Sequence, residues 1–152
     1  MQESVGENGL NSTQSIRLSL MRVLIVDDSA FDRELLEATL RKLSFQNIQH
    51  AEDGAIATRK IQNATDMRAS FDLIFMDAQM PGRDGQALLK WIRKSKEGAR
   101  QLVIVTSGTS DMEGASRLIE IGVNGFVVKP VTMDILRQKI LKALHLEAAR
   151  AG

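Results

Sequence analysis

Phe71-Asp72-Leu73-Ile74-Phe75-Met76-Asp77 runs straight into Ala78-Gln79-Met80-Pro81-Gly82-Arg83-Asp84-Gly85. The apolar run is short, continuous and closed by turn-forming residues, which reads as a buried strand. A carboxylate at its end emerges at the carboxyl edge of a sheet, where open α/β sheets place ligands and chemistry. Outward from there, Met21-Arg22-Val23-Leu24-Ile25-Val26 is a second such run, and it ends in Asp27 and Asp28. Three acids delivered by two strand ends suggest a divalent-cation site with one acid free to act as a nucleophile.

From residue 21 the chain alternates strand and helix five times. Strands are expected at about 22–27, 47–51, 71–77, 102–106 and 125–128, with 47–51 the weakest. A first helix is expected after the first strand, and others at about 54–64, 84–95, 111–121 and 132–147. Asp28 or Ser29 can cap the first helix, which carries Phe31, Leu35, Leu36, Thr39, Leu40 and Leu43 at 3–4 spacing. Gly114 weakens the fourth helix, and Asn63 to Ser70 read as a surface loop. Short strands separated by helices of this length predict right-handed βαβ units and a parallel sheet covered on both faces. Residues 1–20 are polar and read as a flexible N-terminal extension, with Ile16, Leu18 and Leu20 able to add a short ordered piece. The folded domain is expected over 21–148, with a C-terminal tail at 149–152.

The 152 residues suit one domain, and 43% apolar with 26% charged residues is ordinary for a globular protein. A formal charge of +1 gives no electrostatic case for nucleic acid or membrane binding. The absence of cysteine excludes disulfides, thiolate metal sites and a cysteine nucleophile. His50 and His145 lie far apart and read as ordinary surface or element positions. No apolar stretch approaches the roughly 20 residues that span a bilayer. The start of the chain lacks a basic region and an apolar core, so it is not a signal peptide, and the expected location is the cytoplasm.

Four motifs follow in order, each at a strand end: Val26-Asp27-Asp28-Ser29, the Met76–Gly85 stretch, Val105-Thr106-Ser107-Gly108, and Phe126-Val127-Val128-Lys129-Pro130. With them, residues 21–146 resemble the receiver domain of bacterial two-component response regulators, of the single-domain chemotaxis type. The resemblance implies a flavodoxin-like (βα)5 doubly wound fold with strand order 2-1-3-4-5. It implies that Asp77 accepts a phosphoryl group from a phosphohistidine on a histidine kinase or histidine phosphotransfer protein. Such a protein is a signalling switch rather than an enzyme, catalysing only its own phosphotransfer and a slow autodephosphorylation.

Chemistry supports these roles independently. A carboxylate can attack phosphorus, and three crowded carboxylates repel unless a cation is present. Mg2+ prefers oxygen ligands and keeps some waters. The expected ligands are Asp27 and Asp28, directly or through water, Asp77 directly, and the backbone carbonyl of Gln79. Lys129 offers a positive charge to the phosphoryl oxygens, and the resemblance implies a cis bond to Pro130. Thr106 and Ser107 compete for the switch hydroxyl. Alignment without gaps from Asp77 to Lys129 favours Ser107. Phe126 matches the switch aromatic, though plain core packing is the bland reading of the same residue. Gln79 and Thr109 are the side chains that flank the phosphoryl group in the family.

Phosphorylation is then expected to change the face made by the fourth helix, the fifth strand and the fifth helix. That face meets an unknown downstream protein, relays phosphate or supports a phosphorylation-linked homodimer. The same domain could be the N-terminal receiver of a larger regulator or hybrid kinase. Three other readings compete. A haloacid-dehalogenase-type phosphatase needs a second Asp where Gln79 stands. A flavin protein needs a phosphate-cradling loop where Asp27 and Asp28 stand. A scaffold that takes no phosphate would not need the full set of acids, hydroxyl and lysine. Two departures from compact members are the longer 63–70 loop and the N-terminal extension.

Overall fold

The computed structural model describes residues 4–80, 84–95 and 101–147; Pro81 of the acceptor loop and the 149–152 tail lie outside the described residues. Five strands form one sheet in the order β2-β1-β3-β4-β5. They are β1 (Arg22–Val26), β2 (Asn47–Ala51), β3 (Leu73–Asp77), β4 (Leu102–Ser107) and β5 (Gly125–Val128). Every neighbouring pair is parallel, as the alternating pattern predicts. The helices are α1 (Ser12–Ser19), α2 (Ala30–Lys42), α3 (Gly54–Asp66), α4 (Asp84–Lys94), α5 (Met112–Ile121) and α6 (Met133–Ala143).

The central strands carry continuous apolar runs, Val23–Val26, Leu73–Met76 and Leu102–Val105, because both faces of the sheet are covered. Alternation along them sorts side chains into two cores. Val23, Ile25, Leu73, Phe75 and Ile104 pack on one face with Leu36 and Leu40 of α2 and Leu136 and Ile140 of α6. Leu24, Val26, Ile74, Met76, Val103 and Val105 pack on the other with α3, α4 and α5. β2 lies at the sheet edge with Asn47 and Gln49 exposed, which is why its sequence signal is weak.

Three expectations need correction. The stretch read as a flexible extension carries α1. Asn11 caps it reciprocally: the Gln14 N–H donates to Asn11 Oδ1 at 2.8 Å, and the Asn11 N–H donates to Gln14 Oε1 at 2.9 Å. Leu10 and Leu18 are 2% and 1% exposed within the α2/α6 core. The Gln14 side-chain amide donates to the Leu146 carbonyl at 2.9 Å, and Arg137 donates to the Asn8 carbonyl at 3.1 Å. The polar composition therefore serves capping and tethering, and two apolar residues suffice to anchor the segment. Ile16 and Leu20, by contrast, are exposed.

The second correction concerns α2. Leu36, Leu40 and Leu43 are buried, whereas Phe31 and Leu35 face solvent. Leu35 sits one residue, about 100°, around the helix from Leu36, so it leaves the stripe that meets the sheet. The third concerns the expected 63–70 loop. α3 runs on to Asp66, because Ala64 still faces the core and Asp66 accepts from the Gln62 amide at 2.9 Å.

Burial of Leu18 predicts that Leu18→Ala costs about 2–5 kcal/mol, while Ile16→Ala on the exposed side of α1 stays within about 0.5 kcal/mol. Urea unfolding of the two variants checks this, and a silent Leu18→Ala would mean that α1 does not dock.

Candidate functional site

The chain reverses direction across the sheet at β1: β2 lies on one side of it and β3 on the other. Such a switch point leaves a crevice at the carboxyl ends of the strands. Asp27 follows β1, Asp77 closes β3, Ser107 closes β4 and Lys129 follows β5, so the topology brings four motifs to one edge. Carboxylate oxygens of Asp27, Asp28 and Asp77 all lie within 4.8 Å of one another. Asp27 and Asp77 are buried and Asp28 is exposed.

Lys129 crosses from the β5 end into this cluster. Its Nζ lies 3.1 Å from Asp27 Oδ2, 2.9 Å from Asp32 Oδ2 and 3.3 Å from Asp77 Oδ1. The Lys129–Pro130 peptide bond is cis, as expected. Asp27 is fully engaged: its Oδ1 accepts from the Ser29 N–H at 2.9 Å and its Oδ2 from Lys129. Ser29 in turn caps α2, accepting from the Asp32 N–H at 3.2 Å. That cap holds the first turn of α2 against the acidic strand end, and so brings Asp32 to Lys129. Asp32 is absent from the sequence-based site. Its only signal there is its place in the first turn of a helix that starts beside two acids.

Asp77 is electrostatically costly. Burial pushes its carboxyl pKa up, and the Asp27 charge pushes it further, against the counter-pull of Lys129 and a backbone N–H from Gln79. Its Oδ1 is buried and accepts no hydrogen bond, the Lys129 contact being an ion pair only. For Lys129, burial alone would lower the pKa. The hydrogen bond to Asp32 and the charges of Asp77 and Asp27 outweigh burial and hold it above the usual lysine range, so the ammonium stays charged. An all-oxygen set with an unsatisfied buried carboxylate oxygen fits a hard divalent cation such as Mg2+. Asp27, Asp28 and Asp77 are the side chains that could hold it.

Ser107 is fully buried, and its one hydroxyl proton is shared between the carbonyls of Gly108 at 3.0 Å and Asp111 at 3.2 Å. It therefore pins the 3-10 turn Thr109–Asp111 that leads into α5. Alternation places Ser107 on the face of Val103 and Val105, where half-buried Phe126 also packs; Thr106 falls on the opposite face with Ile104. Gly114 is explained by the same region. A Cβ there would lie 2.9 Å from Asp111 Oδ1 and 3.3 Å from the Ala78 carbonyl, so glycine lets α5 approach the backbone just after Asp77. Gln79 and Thr109 are both exposed near these strand ends. Outside the cluster, His50 Nε2 pairs with Glu37 at 2.8 Å, and Trp91 packs against the core. Neither joins the site.

A doubly wound sheet with paired acids, an aspartate and a lysine at its switch point defines a class of phosphate-handling signalling folds. Residues 23–141 match the response regulator receiver domain family, and the chain belongs to it. Over 122 residues it is 35% identical to the chemotaxis protein CheY-3 of Vibrio cholerae serotype O1, covering 80% of this chain and 90% of that protein. It is 33% identical over 122 residues to the chemotaxis protein CheY of Pseudomonas aeruginosa, covering 80% of this chain and 94% of that one. The structure of the chemotaxis response regulator CheY4 of Vibrio cholerae matches with a TM-score of 0.69 at 26% identity, covering 81% of this chain and 98% of that chain. The receiver is thus of the chemotaxis type, and its role is phosphorylation-dependent two-component signalling. Among the described residues, no helix is long and apolar enough to cross a membrane.

The raised Asp77 pKa has a definite stability consequence. The folded state favours the protonated carboxyl, so Asp77's contribution to stability is present at acid pH and is lost as pH rises through the raised folded pKa. In metal-free buffer, Asp77→Asn should therefore melt higher than wild type at pH 7, with the gap closing as pH falls through the carboxylate range. Thermal melts across pH read this directly, and a gap independent of pH would contradict it.

Proposed function

We propose that this chain is a cytoplasmic phosphorylation switch in which Asp77 accepts a phosphoryl group from a phosphohistidine of a histidine kinase or histidine phosphotransfer protein. The observation that carries the reading is Asp77 Oδ1: buried, without a hydrogen bond, and 3.3 Å from the Lys129 ammonium. A carboxylate oxygen left bare beside a fixed positive charge is poised to gain a group that brings its own negative oxygens.

In the proposed step an Asp77 oxygen attacks phosphorus. The new O–P bond forms as the P–N bond to the donor imidazole breaks, and the electron pair leaves with the imidazole nitrogen. Lys129 stabilises the charge spread over the phosphoryl oxygens. Asp27, Asp28, Asp77 and the backbone carbonyl of Gln79 would hold Mg2+, which supplies neutralisation of the acidic cluster and of the incoming phosphate. The exposed side chains of Gln79 and Thr109 would flank the phosphoryl group and tune how water reaches it.

The output follows from Ser107. To donate to a phosphoryl oxygen, its hydroxyl must give up the carbonyls of Gly108 and Asp111, which releases the turn before α5. Phe126 shares that face of the sheet and can turn into the space the hydroxyl leaves. This geometry favours Ser107 over Thr106 as the switch hydroxyl. The face made by α5, β5 and α6 would then change and control a downstream protein, a second copy of the chain or onward relay of phosphate.

Incubation with acetyl phosphate and Mg2+ should add one phosphoryl group by intact-mass spectrometry. The gain should vanish with EDTA and in Asp77→Asn. An unlabelled wild-type protein with its fold intact, or a labelled Asp77→Asn, would overturn the assignment.

A further inference from the structure

An ammonium has three N–H donors; Lys129 gives one to Asp27 and one to Asp32, while Asp77 meets it only as an ion pair at 3.3 Å. A phosphoryl oxygen on Asp77 that draws the ammonium toward itself therefore pulls against these partners. The partners are not equally easy to give up. The Asp27 and Asp77 side chains are 6% and 5% exposed, whereas that of Asp32 is 35% exposed. A buried carboxylate that loses its cation keeps an uncompensated charge in low dielectric. A carboxylate at the rim is resolvated by water. Asp32 is also the partner delivered by a helix turn rather than by a strand end, and it makes the shortest of the three contacts.

We infer that Asp32 is a positioning residue that holds Lys129 in the unphosphorylated protein and competes with the phosphoryl group for it. The inference rests on the phosphoacceptor reading of Asp77. Asp32 lies on α2, outside the acidic trio and the hydroxyl, yet sets how much must be given up when Lys129 turns to the phosphate. In the free protein it fixes the lysine at the site mouth. On phosphorylation it lets go into solvent. Its presence thus biases the switch toward the resting state, and its removal should shift the balance toward the phosphorylated form.

The test uses trifluoroberyllate with Mg2+ as a phosphoryl mimic, titrated into the full chain and read by the 19F signal of the bound anion. Asp32→Asn should bind it more tightly than wild type by on the order of fivefold, the scale of one partly exposed ion pair. The phosphorylated lifetime after acetyl phosphate should lengthen in step. Asp32→Glu, which can still reach Lys129, should restore values near wild type. Glu34→Gln removes the same charge from the exposed side of the same helix and should leave binding close to wild type. Unchanged or weaker binding in Asp32→Asn overturns the inference, as does an equal gain in Glu34→Gln, which would mark a general field effect. The absence of a bound 19F signal in wild type overturns the phosphoacceptor reading, and this inference with it.

Discussion

The convergence of like charges at one sheet edge constrains everything else in this molecule. Asp27 and Asp77 are buried side by side at the ends of adjacent central strands, and both would prefer water. Lys129 enters from the far edge of the sheet and meets both, and the backbone N–H groups of Ser29 and Gln79 add to the compensation. Even so, the balance is incomplete: one oxygen of Asp77 remains without a donor and its pKa stays raised. A resting site that is stably folded but electrostatically unfinished is the physical condition for one that gains from a cation and a phosphoryl group.

That local imbalance is tied to the rest of the chain by short connections. The Ser29 cap orients α2, and through it Asp32 reaches Lys129. The Lys129 N–H donates to the Ser107 carbonyl at 2.7 Å, so the lysine and the serine share one piece of backbone geometry. The Ser107 hydroxyl holds the turn before α5, and Gly114 lets α5 sit close to the strand end that carries Asp77. Change at the acid cluster therefore has a contiguous route to α5 through hydrogen bonds, with no long-range coupling required.

Much of this was legible in the chain. The five strands and the four motifs at their ends follow from apolar runs closed by turn residues, the strand order followed from the family resemblance, and the structure has both. What failed, failed for identifiable reasons. The N-terminal stretch looked like a solvated tail because, of its described apolar residues, only Leu10 and Leu18 are buried, and its polar residues are spent on caps and tethers. Phe31 and Leu35 looked like core because spacing alone does not say which edge of a broad apolar stripe meets the sheet. The structure brings Asp27, Asp28, Asp77 and Lys129 together as the motifs suggested, and adds Asp32, which no motif marked.

The sequence by itself determined which groups reach the carboxyl edge, because the end of a strand is a local property and each apolar run marks its own. It determined the parallel, doubly wound topology for the same reason, through alternation of short strands and helices. Only the tertiary structure decided how those groups are paired. Lys129 meets Asp32 across 97 residues of chain. Whether a carboxylate ends up satisfied or bare, or a leucine buried or exposed, depends on how helices pack on the sheet. That packing is the sum of many weak contacts between distant segments, which no local pattern encodes.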